Sequence, residues 1–329
     1  MKKVLLLAVM LLLPCGAATA ASGGSLSMYA AATDVDKIMA AFTADTGITV
    51  DFIEMSTGEV LTRLRASGGK APADVWYGGG LDSYLAAGGE GYLMSYVSPR
   101  REGIHPRYLD KDGYWTSMSR NIVEILVNKD VLAAKGLPMP KSFADLARPE
   151  YKGEVAMSTP VVSGTFYFMI AELLEHYGWD EGWKLLEAID QNIPYYAKRG
   201  AEPANKAAMG EIAIAIAPFD TGYKLRSEGY PLVSVLPEEG APWYFSPIAI
   251  FKGAKNEAQA KALVDWMLSE KGQAQIAKYA PPAPVRDGLE LAEGVSALGT
   301  AKLIECDIVK VAGDRDRILE VWQEKFGAK

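Results

Sequence analysis

From residue 25 onward, short apolar runs alternate with stretches whose apolar residues recur every three or four positions, the pattern of strands and helices in alternation. Residues 26–30 (Leu-Ser-Met-Tyr-Ala) predict a strand. Residues 34–46 predict a helix with Val35, Ile38, Met39 and Phe42 on one face and Gly47 placed as its stop. Residues 48–53 and 74–77 predict further strands, and 59–66 and 81–87 further helices. Three strand–helix units within about seventy residues predict a mostly parallel sheet. The loops from strand ends to helix starts are rich in Ser, Thr and Gly.

The middle of the chain departs from this rhythm. Residues 120–127 read as one long strand with no linker beside it, followed by a turn-rich stretch and a strand at 155–157. Helices are predicted at 166–176, 181–188, 205–209 and 223–228, with strands at 212–217, 232–236 and 248–251. Helices at 257–268 and 272–279 follow, and 314–326 closes the chain with Ile318, Val321 and Trp322 on one face. No internal repeat or low-complexity segment interrupts the α/β pattern.

The N-terminus adds a destination. Lys2 and Lys3, the apolar run 4–13 and the small residues Ala18-Thr19-Ala20 have the layout of a secretory signal peptide, with an apolar run too short to span a membrane. Cleavage after Ala20 is expected, which sends a soluble mature chain to the periplasm. Cys15 permits a lipoprotein reading, but Pro14 stands before it where Gly, Ala or Ser is normally required. Cys306 is then the lone thiol, unable to form an intramolecular disulfide, and reads as a small buried residue. About 309 residues remain, a length at which one core tends to divide into two.

Charge removes one class of partner. The chain carries 34 basic and 41 acidic residues, a net charge of −7. An acidic balance argues against nucleic acid, which needs a basic footprint. Enzyme signatures are equally thin. There is no Gly-x-Ser-x-Gly elbow, only His105 and His176 are present, and the neighbouring Glu238 and Glu239 would diverge on a strand. A secreted hydrolase is therefore the weaker class, and no cofactor or metal is expected.

Several stretches, in order over residues 25–285, resemble the solute-binding proteins associated with ferric iron and with phosphorylated or phosphonate ligands. They are Tyr29-Ala30-Ala31-Ala32-Thr33-Asp34, Met55-Ser56-Thr57-Gly58-Glu59, and Ala73-Asp74-Val75-Trp76-Tyr77-Gly78-Gly79, close to the family's ADVWFGG. Ser163-Gly164-Thr165, Gly210-Glu211-Ile212-Ala213, Phe251-Lys252-Gly253-Ala254-Lys255-Asn256 and Asp265-Trp266 continue the series. The resemblance implies a type II periplasmic binding-protein fold, with two α/β lobes, two crossing segments and a central ligand cleft. Lobe 1 would hold 21–118 and 246–329, lobe 2 would hold 119–245, and the crossings would fall at 119–121 and 244–247. It further implies a monomeric, non-catalytic receptor that hands its ligand to the membrane permease of an ABC transporter. A chemosensory output would use the same binding chemistry.

In that fold four loops would ring the cleft with helix starts, whose unpaired amides and partial positive charge suit anions. They contribute Thr33, Ser56, Thr57, Gly78, Ser163, Gly164 and Thr165 as candidate ligand-binding residues. The competing reading is ordinary capping, with each hydroxyl serving only its own helix. Arg199 could clamp an anion through two donors, or remain a solvated surface residue. Arg199 and Glu202 stand where family members often have Ser and Gly. Asp220 and Glu239 correspond to family positions that bind hydroxyls or amines, against a cap and a hinge salt bridge as the alternatives. Alternation within Trp76-Tyr77 and Trp243-Tyr244 sends one of each pair to the cleft, and Tyr77 and Tyr244 are the expected ones.

Ferric relatives use adjacent tyrosines after the strand equivalent to 212–217, usually with an N-terminal His. Here that site reads Pro218-Phe219-Asp220-Thr221, and Tyr195-Tyr196 lies elsewhere in the chain. The expected ligand is thus a small organic anion such as a phosphorylated sugar or a phosphonate, with ferric iron as the alternative.

Overall fold

The computed structural model describes residues 23–70, 72–279, 283–291, 295 and 301–329. The expected signal peptide lies outside them, as does part of the segment 283–309. The first strand β1 (Ser25–Ala31) lies between two parallel neighbours, β2 (Thr49–Glu54) and β3 (Val75–Gly78). The helices α1 (Val35–Thr46), α2 (Thr57–Ala66) and α3 (Asp82–Gly89) alternate with them. Val35, Ile38, Met39 and Phe42 of α1 are buried as the 3.6-residue period requires, and Gly47, at φ 72°, ends the helix with its amide on the Thr43 carbonyl.

After the short β4 (Leu93–Met94), the strand β5 (Thr116–Asn128) runs for 13 residues and is shared by both halves of the molecule. The second half adds α4 (Lys129–Ala134), β6 (Val155–Ser158), α5 (Gly164–Tyr177), α6 (Trp179–Asp190), β7 (Tyr196–Ala197) and α7 (Glu202–Ala208). It is completed by β8 (Ile214–Pro218), α8 (Phe219–Ser227) and β9 (Leu232–Val235). The chain returns through β10 (Trp243–Phe251), α9 (Glu257–Leu268), α10 (Glu270–Tyr279) and β11 (Ala283–Pro284), and ends in α11 (Ile308–Gly313) and α12 (Arg315–Phe326). The strand order is β2-β1-β3-β10-β5-β8-β6-β7. One stretch of β5 pairs antiparallel with β10, and the next pairs with β8 from Val123↔Pro218 to Val127↔Ile214. The two expected crossings therefore lie side by side, with Asn121 opposite Tyr244 and Ser119 opposite Ser246.

β10 begins five residues before the strand expected at 248. Pro247 lacks an amide donor, and the ladder absorbs it by shifting register between Ser246 and Pro247. The Ile–Ala alternation of β8 divides its two faces. Ile214 and Ile216 join the main core, while Ala215 and Ala217 pack in a cluster with Ala204, Ala207 and Ala208 of α7. α12 departs from the expected lobe 1. Trp322 packs on Tyr196 at 4.9 Å and Phe326 on Trp183 at 6.3 Å, because its apolar face meets β7 and α6 rather than the first sheet.

Glu124 of β5 is fully buried and binds Arg226 of α8 at 2.8 Å, with Ser234 of β9 donating to its other oxygen. A Cβ on Gly222 would lie 1.8 Å from Glu124 Oε1, so only glycine lets α8 lie this close. Burial pushes the Glu124 carboxyl up to about 7, against the pull of Arg226. The folded state thus keeps a proton that the unfolded chain releases near 4.5. Glu124 contributes stability below that pH and loses it as pH rises through about 7. Glu124→Gln should therefore lose less stability than the parent between pH 5 and 8, as read by thermal unfolding; equal slopes would remove this role.

Candidate functional site

The cleft lies at the carboxyl ends of the strands, where loops lead into helices, the usual place for ligands on open α/β sheets. One wall is Thr33, Ser56, Thr57 and Gly79; the other is Ser163, Gly164, Thr165, Arg199, Asp220 and Thr221, with Tyr244 of β10 between them. The cavity measures about 160 Å³. At roughly 10–15 Å³ per water it has room for on the order of ten waters, far more than a bare ion needs.

The walls also touch each other. Gly58 N–H donates to the Val162 carbonyl at 3.1 Å, and Gly164 N–H donates to Thr57 Oγ1 at 3.2 Å. Thr33 and Thr221 hydroxyls stand 3.4 Å apart, and Lys224 of α8 pairs with Asp34 at 2.9 Å. Asp34 is the one described non-glycine residue with positive φ, 51°, a conformation Asp tolerates better than most. The cleft is closed.

These contacts decide between capping and ligand binding at the helix starts. Ser56 and Ser163 occupy the N-cap positions of α2 and α5, and neither side chain makes a capping hydrogen bond. The amides of Gly58 and Gly164 are used across the cleft, whereas those of Thr57, Thr165 and Phe166 have no acceptor among the described residues. Arg199 is exposed at the rim and has no carboxylate partner among the described residues. Free donors from two helix starts and one unpaired guanidinium therefore converge on the same cavity.

Acceptors line the same cavity. Asp220 is 7% exposed, and its Oδ1 accepts from Thr221 N–H at 2.7 Å. Burial pushes its carboxyl up, opposed by hydrogen bonds from Asn121, Thr221 and Thr33. Tyr244 stacks on Phe168 with ring centroids 6.4 Å apart, and burial raises its phenol well above the usual range. Glu54 and Glu59 line the mouth beside the Met55-Ser56-Thr57 loop, and Glu59 is paired with Arg63.

Three expected residues lie elsewhere. Tyr77 is wholly buried near Tyr84, and burial, then the Asp220 charge, raises its phenol. Gly78 turns the chain at φ 85°, where a Cβ would meet the Ala31 carbonyl at 2.7 Å, and delivers Gly79 to the cavity instead. Glu239 accepts from Phe143 N–H at 2.7 Å and from the Tyr177 hydroxyl at 3.1 Å. Tyr177 ends α5, so Glu239 sits about 20 Å from that helix's cleft end at 1.5 Å rise per residue. It ties the Phe143 amide to the end of α5 and does not line the cavity. Thr221, Gly79 and Glu54 were missed, although each adjoins a residue that the motifs single out.

The other tyrosine pair serves packing. Tyr195 is exposed, and Tyr196 donates to Asp190 while stacking on the last helix. Cys306 is half-buried; burial, then the neighbouring Glu172 carboxyl, pushes its thiol up. No helix among the described residues is long and apolar enough to cross a membrane.

Two α/β bodies joined by paired crossing strands and closed over a central cleft define a two-lobed solute-binding protein. The profile of the bacterial extracellular solute-binding proteins matches residues 86–308. An uncharacterized protein of Haemophilus influenzae is 30% identical over 95% of both chains. The periplasmic binding protein AfuA of Actinobacillus pleuropneumoniae, solved with fructose-6-phosphate, superposes with a TM-score of 0.88 at 30% identity, covering 94% of this chain and 100% of its own. A Fe(3+)-binding periplasmic protein of Serratia marcescens is 25% identical over 92% of this chain and 88% of its own. The chain belongs to the bacterial extracellular solute-binding protein family. It is thus an extracytoplasmic protein of the ABC-transporter type, with a small-molecule ligand and a membrane permease as partners.

Proposed function

We propose that this protein captures a phosphorylated sugar, or a closely similar small organic anion, and delivers it to its permease without catalysis. The observation that carries this reading is the convergence of uncapped α2 and α5 starts with unpaired Arg199 on one cavity. Anionic oxygens would sit there, while Asp220 and Thr221 would accept from or donate to ligand hydroxyls. The likeness to AfuA, solved with fructose-6-phosphate, supports the same chemistry. A monomer with a cleaved signal peptide and no nucleic-acid partner completes the reading. The two bodies would be 21–118 with most of 246–300, and 119–245 with the C-terminal helices.

Ferric iron, the cargo named for the Serratia relative, fits this cleft less well. Of the tyrosines, Tyr244 lines the cavity with its phenol held protonated, and no histidine is among the lining residues. Among the described residues no cluster of three His, Cys, Asp or Glu suits a metal. A thermal-shift panel of sugar phosphates, phosphonates and ferric citrate distinguishes these cargoes. A ligand at a hundred times its Kd should raise Tm by on the order of 4 °C for a chain of this size. Fructose-6-phosphate or a congener is expected to do so; a shift with ferric ion alone would overturn the proposal.

A further inference from the structure

The C-terminal arm is anchored mainly on the second body, although α11 also lies against α3. Ala241 N–H donates to the Lys302 carbonyl at 2.8 Å, and Trp243 Nε1 donates to the Ile304 carbonyl at 2.9 Å. Further on, the Arg317 guanidinium lies 3.8 Å from the Trp179 ring centroid, and Lys325 pairs with Glu187. From that arm one ion pair reaches the first body among the described residues. Arg315 Nε donates to Asp82 Oδ2 at 2.8 Å, with both side chains nearly excluded from water.

Asp82 stands directly behind the cleft. Gly80 and Gly164 abut across the seam between the bodies, and a Cβ on either would fall 2.8 Å from Asp82 Oδ1. Gly164 is also the first residue of α5 and lines the cavity. That same Oδ1 is buried without a hydrogen-bond partner, so the carboxylate depends on Arg315 and Ser83. Parting Gly80 from Gly164 to open the cleft carries Arg315 away from Asp82, because each is rooted in a different body. A buried pair is little screened by salt, and losing one partner strands the other charge.

We propose that Asp82–Arg315 is a positioning pair that sets ligand affinity by biasing the unliganded protein toward the closed state, without touching the ligand. Only the affinity arm of this proposal rests on the cleft being the ligand site. In the full mature chain, Asp82→Asn and Arg315→Lys are expected to scatter X-rays as a more open molecule than the parent when unliganded. With fructose-6-phosphate as probe, Kd should rise about tenfold, mostly through faster dissociation, as the closed fraction falls. Circular dichroism checks folding, and Arg315→Lys, which keeps the charge, is read where Asp82→Asn does not fold. Unliganded scattering identical to the parent, with only a lowered Tm, would show a purely structural pair and sink the proposal. If fructose-6-phosphate fails to bind the parent, the ligand reading suffers while the scattering result still decides this one.

Discussion

Gly58→Ala should abolish tight ligand binding while leaving the unliganded protein folded. The added Cβ would lie 2.2 Å from the Val161 carbonyl oxygen and 3.0 Å from Val162 Cα, both on the opposite wall. That backbone cannot retreat cheaply, since Gly58 N–H also holds the Val162 carbonyl there. Gly58 lies in the first turn of α2 and is not among the residues with positive φ, so alanine is acceptable to the helix itself. Helix propensity even favours alanine over glycine by about 1 kcal/mol. The substitution therefore penalises closure specifically. A loss of about a hundredfold in affinity, or roughly 2.7 kcal/mol, is expected from titration calorimetry with the ligand found by thermal shift. Ligand-induced compaction in solution scattering should vanish with it. Unchanged affinity and compaction would mean that the Gly58–Val162 contact is not part of the binding-competent state.

Arg199→Ala should weaken an anionic ligand by about 10- to 100-fold, the usual worth of a hydrogen bond to a charged group. No carboxylate pairs with Arg199 among the described residues, so Tm without ligand should hardly move. Affinity should also fall with rising salt in the parent and less so in the variant, because the rim charge is exposed. Thr165→Ala removes a neutral donor and should cost less, up to about tenfold. Unchanged affinity in both variants would remove them from the site. Together with Gly58→Ala these variants separate contact with the ligand from closure over it.

Much of the candidate cavity lining was legible because its chemistry is written locally. Ser56-Thr57-Gly58 and Ser163-Gly164-Thr165 each pair turn residues with the start of a helix, and both line the cavity. Arg199 was legible as a departure from a family pattern, and Asp220 by its position after the Ile–Ala strand. Tyr77 and Glu239 were misplaced for a different reason. Alternation says that Trp76 and Tyr77 face opposite ways, but both faces of β3 are covered, so neither ring lines the cavity. Glu239 follows the right strand in sequence, yet its bonds to Phe143 and Tyr177 depend on how that segment packs.

By itself, the sequence determined the α/β alternation, the approximate positions of most helices and the acidic net charge. These follow from periodicity, turn chemistry and charge, which act over a few residues or by simple sum. Only the tertiary structure decided which helix starts meet, that Gly58 and Gly164 spend their amides across the cleft, and that α12 sides with the second body. Thr57 and Gly164 are 107 residues apart, and Asp82 and Arg315 are 233 apart. Such pairs arise from strand order and the packing of two bodies, for which no local pattern of residues carries a signal.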